Sequence, residues 1–124
     1  MIEIERLQKF MKRIEARKGP FSLFGILKRE ESPGLWDLVV AAPWLEAGKR
    51  KAFRELVQEM EEAFGDDVLF LSRIVTLNHD DPLLREILSD VGSPKKPLER
   101  QGHNLFGLPV EQAVILRAGM PKAA

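Results

Sequence analysis

The stretch LWDLVVAAPW, Leu35 to Trp44, is apolar on both of its alternating residue sets. Trp36, Leu38, Val40, Ala42 and Trp44 form one set. Leu35, Asp37, Val39 and Ala41 form the other, and Asp37 is the single charge. A strand of this kind must be covered on both faces. The chain is therefore expected to build a layered sheet with helices packed on it. Core packing is the ordinary role for both tryptophans. An exposed stacking platform for bases is the less ordinary one.

The flanking segments extend this reading. Residues 3–18 carry Ile4, Leu7, Met11 and Ile14 at helical spacing, and Gly19-Pro20 ends the run. Acidic Glu3 and Glu5 open that helix, and Arg13, Arg17 and Lys18 close it, as the helix dipole favours. Its stripe is expected to pack on the sheet, with pairing in a dimer as the alternative. Residues 21–28 read as a strand, 30–34 as a turn centred on Pro33-Gly34, and 35–44 as the second strand of a hairpin. Residues 48–64 read as a helix with Phe53, Leu56, Val57, Met60 and Phe64 on one face and Gly65 as its stop. A strand is expected at 66–78, apolar on both faces. A helix follows at 80–92, with Asp81 as N-cap, Pro82 at its first position and Gly92 at its end. Residues 93–104 read as a polar loop, 110–118 as a last strand and 119–124 as a tail.

The order is α-β-β-α-β-α-β. It predicts one α/β or α+β domain over residues 1–124, with a mixed sheet of about four strands and a βαβ crossover through the long helix.

Composition narrows the function classes. Nineteen acidic and nineteen basic residues cancel, which argues against a dedicated nucleic-acid binder. Near-neutral charge also weakens mutual repulsion, so a homodimer or a protein partner is expected. There is no cysteine, hence no disulfide, thiolate metal site or thiol nucleophile. The first 18 residues alternate charge with apolar residues, and no run is long enough to cross a bilayer. A cytoplasmic protein with no membrane association is expected. No motif implies a cofactor or a metal.

The segment GKRKAFRELVQEMEE breaks a local rule. Lys49, Arg50, Lys51 and Arg54 open the expected helix, and Glu59, Glu61 and Glu62 close it, against the dipole. Arg50 and Arg54 are like charges four apart, as are Glu55 and Glu59; only Lys51–Glu55 offsets them. A helix N-terminus after a strand's carboxyl end is a ready anion site. Gly48, Lys49, Arg50 and Lys51 are thus candidates for binding an oxyanion, against the plainer reading of a solvated basic turn. The segment is not a P-loop, since Pro43 stands where its first glycine belongs and Arg50 where its Ser or Thr belongs.

Asp37, His79, Asp80 and His103 are the catalytic candidates. If they meet in one cleft they support a small metal-dependent phosphoester hydrolase. The preferred expectation is a small non-catalytic regulatory or protein-interaction module that binds an anionic ligand or partner.

Overall fold

The computed structural model describes residues 3–31 and 34–119. The chain forms α1 (Ile4–Lys18), β1 (Leu23–Arg29), β2 (Trp36–Ala41), α2 (Pro43–Phe64), β3 (Leu71–Thr76), α3 (Pro82–Val91), β4 (Leu98–Gln101) and β5 (Val110–Ala118). The five strands lie in one mixed sheet, ordered β3-β2-β1-β5-β4. Only β2 and β3 run parallel; the other neighbours are antiparallel. This is a single α+β domain.

The two-sided strand sits where its sequence requires. All of β2 is buried. Trp36, Leu38 and Val40 pack with Leu7, Phe10, Met11 and Ile14 of α1 and with Leu56, Met60 and Phe64 of α2. Val39 and Ala41 face the opposite layer, built on Leu84 and Ile87 of α3 with Phe106, Ala113 and Ile115. The apolar stripe of α1 is thus enclosed in the core. Between β1 and β5 the backbones come very close. A Cβ on Gly25 would stand 2.8 Å from Ile115 Cδ1 and 3.0 Å from the Val114 carbonyl, so a side chain there would push against β5.

Several boundaries differ from the sequence expectation. The second strand ends at Ala41, and Pro43 and Trp44 already belong to α2. Proline suits the first helical position, where its missing N–H has no role. Trp44 still lies on the Trp36 side of the sheet, held edge-on to Phe21 and donating from Nε1 to the Gly19 carbonyl at 3.1 Å. The strand expected at 66–78 starts only at Leu71, after a 3-10 turn over Gly65–Phe70. It lies at the sheet edge, and none of its residues is buried. Phe53, on the apolar face expected for the long helix, and Leu71 and Ile74, on the strand expected to be covered on both faces, are only half-buried. The segment 93–104, expected as a loop, contains β4, whose backbone pairs with β5. Ser32 and Pro33 of the expected turn, and all of the expected tail beyond Gly119, lie outside the described residues.

Candidate functional site

A cleft of about 380 Å³ opens at the carboxyl ends of the parallel pair β2–β3. Leu45, Phe53, Ile74 and Leu77 form its apolar wall; Glu46, Lys49, Arg50, Thr76 and Asn78 supply its polar groups. Each side comes from a helix or loop leaving a strand end. Ala42, in extended geometry, caps α2, and Glu46 sits in the first turn, where the dipole favours an acid.

The basic segment is therefore not the start of α2. It lies within the helix, at a break. Lys49 has φ 49° and ψ −131°, a conformation that side-chain-bearing residues rarely adopt. Gly48 permits the bend, since a Cβ there would stand 2.5 Å from that of Ala52. Helical geometry resumes at Arg50, so the four cations crowd the break rather than the helix entrance.

The reversed charge order of α2 has a tertiary explanation only at Glu55 and Glu59. Glu59 pairs with Arg17 at 2.7 Å and Arg13 at 3.6 Å, and Glu55 pairs with Lys18, all on α1. Hydrogen bonding and charge from Lys18 hold the Glu55 carboxyl below its ordinary pKa. The expected Lys51–Glu55 offset is thus replaced by a bond to α1. Arg6, Arg13 and Arg17, the basic flank of α1, are likewise occupied by Asp67 and Glu59. By contrast, none of Lys49, Arg50, Lys51 and Arg54 has an ion-pair partner among the described residues.

The loop after β3 closes the other side. Leu77 N donates to the Val40 carbonyl at 2.9 Å, and the Asn78 carbonyl accepts from Asp81 N at 3.0 Å. Asp81 Oδ1 accepts from Leu83 N at 2.8 Å, as an N-cap does. His79 reaches across to Glu46. Its backbone N–H donates to Oε2 at 3.2 Å and its Nδ1 lies 2.8 Å from Oε1. The hydrogen bond and charge of Glu46 raise the His79 pKa above that of a free histidine. Glu46 was not a sequence candidate. The signal for it was Pro43, which places a helix start there and Glu46 in its first turn.

The four catalytic candidates separate. His79 and exposed Asp80 stand at the cleft end of the sheet. Asp37 lies near the start of β2, opposite Arg73 on β3 and Leu27 on β1. It is buried and its Oδ2 accepts from Arg73 Nε at 3.0 Å, with Arg29 Nε at 3.1 Å. His103 is exposed and bonded to Glu30 at 3.0 Å, beyond the end of β1, at the Asp37 end of the sheet. Among the described residues no three His, Asp or Glu side chains are grouped to hold a metal ion. No helix among those residues is long and apolar enough to cross a membrane. No family model, no curated protein and no solved structure matches the chain.

Proposed function

We propose that the protein is a non-catalytic regulatory module that binds an oxyanion or an oxyanion-bearing ligand in the cleft between Lys49, Arg50 and Asn78, and a protein partner elsewhere on its surface. One observation carries the reading: Glu55 and Glu59 of α2 are engaged by α1, while Lys49, Arg50, Lys51 and Arg54 have no ion-pair partner among the described residues, and Lys49 and Arg50 line the cleft. Clustered cations repel one another, and an anion between them relieves that repulsion through charge-assisted hydrogen bonds. The apolar face of α1 is enclosed, so it offers nothing to a second copy or another protein. The protein-partner part of the proposal therefore rests on the open edge of β3, next to exposed Leu35 and Leu69.

The test is thermal unfolding with and without phosphate at matched ionic strength. At ten times its dissociation constant, phosphate stabilises the folded state by about 1.4 kcal/mol, a rise of about 3–6 °C in Tm. A Lys49→Gln, Arg50→Gln, Lys51→Gln variant is expected to lose most of that rise. Because phosphate also stabilises proteins by exclusion, an equal response in both proteins would falsify the proposal. Of its four candidates the hydrolase alternative retains only His79 and Asp80 at the cleft end of the sheet, and neither lines the cleft. No turnover of p-nitrophenyl phosphate is expected with Mg²⁺ or Mn²⁺; turnover abolished by His79→Ala would replace the binding reading with the hydrolase.

A further inference from the structure

The Asp37 carboxylate lines a recess of about 220 Å³ on the α3 side of the sheet, at the opposite end from the cleft. Leu27, Val39, Val75, Leu83, Leu108 and Val110 form its apolar walls, and Arg29, Glu31 and Arg73 join Asp37 as its charged groups. Asp37 is only 4% exposed. Both neighbouring guanidiniums approach the same oxygen through Nε, leaving Oδ1 buried without a hydrogen-bond partner. Arg–carboxylate pairs frequently use both oxygens in a parallel fork. Here the remaining Arg29 nitrogens turn away, Nη1 to Glu31 at 3.2 Å and Nη2 to Ser72 Oγ at 3.3 Å.

We propose that this recess is a second binding site, for a small, mainly apolar and uncharged molecule that donates an N–H or O–H to Asp37 Oδ1. Local charge selects the class. Arg29 and Arg73 balance Asp37 and Glu31, so a cation meets two guanidiniums and an anion meets the free carboxylate oxygen. A neutral donor meets neither penalty. The volume lies below the roughly 300–1,000 Å³ of sites for drug-sized ligands, so the molecule is one or two rings in size.

An NMR titration of the full chain with indole and with benzofuran tests this. The two have nearly the same shape, but only indole has an N–H. Indole is expected to shift the amides of Val39, Val75 and Leu108 saturably, with affinity about tenfold or more above benzofuran, as a hydrogen bond to a charged acceptor gives. In Asp37→Asn the carboxamide oxygen turns to the guanidiniums and an N–H faces the recess, so the preference for indole disappears. Leu108→Trp fills the recess from its rim and abolishes binding of both probes, which keeps the test decisive if Asp37→Asn fails to fold. Equal affinity for the two probes, no saturable shift with either, or indole binding that survives Leu108→Trp overturns the proposal.

Discussion

At the scale of single residues, two cleft positions hold energy that can be read out separately. The Glu46 bond raises the folded-state pKa of His79 above its unfolded value. Its stabilising effect is therefore complete below the ordinary histidine pKa and fades as pH rises through the raised one. Both groups reach solvent, so the effect on stability is small. NMR titration is expected to show His79 above a free histidine, and Glu46→Gln to bring it down; an unchanged midpoint counts against the Glu46–His79 bond. Lys49 holds a backbone conformation that costs about 1–3 kcal/mol for a residue with a side chain. Glycine relieves that strain but loses about 0.5–1 kcal/mol of chain entropy. Lys49→Gly is thus expected to raise Tm by a few degrees while reducing the phosphate response. Lys49→Gln reduces the response without the gain, which separates strain from charge.

At the scale of elements, the legible ones carried their own punctuation. α1 and α3 end where Gly19 and Gly92 stand, and α3 begins at its Asp81 cap and Pro82. The start of α2 carried a signal in Pro43, but Trp44 masked it, because it falls on the same side of the sheet whether the strand continues or the helix begins. β4 was hidden because LERQ is short and polar; it is a strand through backbone pairing with β5, which leaves no mark in side-chain pattern. β3 looked two-sided, yet it is an edge, a fact of sheet order rather than of its own residues. The site was half legible for the same reason. The charge anomaly at Lys49 to Lys51 stood out locally, but the Glu46–His79 bond joins residues 33 apart and depends on the crossover. The element that tolerates least change is β2. Val40 is fully buried between α1 and α2. Val40→Asp forces an unpaired charge into that layer, at a cost expected to exceed about 4 kcal/mol, much of a domain's 5–15 kcal/mol stability. Circular dichroism with urea is expected to show a chain largely unfolded at low denaturant; a cooperative transition near the wild-type midpoint contradicts the buried position.

At the scale of the whole molecule, one carboxylate joins distant parts of the chain. Glu15 of α1 accepts from Arg117 Nη2 at 2.6 Å and Nε at 3.1 Å, and from the Phe21 backbone N–H at 3.0 Å. This fork ties the first helix to β5, 102 positions away. Arg117 is 38% exposed at its side chain, which discounts the charge contribution. Glu15→Ala is expected to cost about 1–2 kcal/mol, read as a lower urea midpoint at unchanged slope. A matching loss in Arg117→Ala, with less than the sum in the double variant, identifies the pair as one unit.

The place of β5 inside the sheet has a consequence for how the protein is made. It is the latest strand in chain order, yet it lies between β1 and β4. As the chain leaves the ribosome, β1, β2 and the crossover emerge long before residues 110–118. Until then β1 carries an unpaired apolar edge, the kind of surface that chaperones hold and that nascent chains use to aggregate. Folding therefore waits for almost the whole of the described chain to be translated, and a nascent chain stalled before Val110 remains a client rather than a domain.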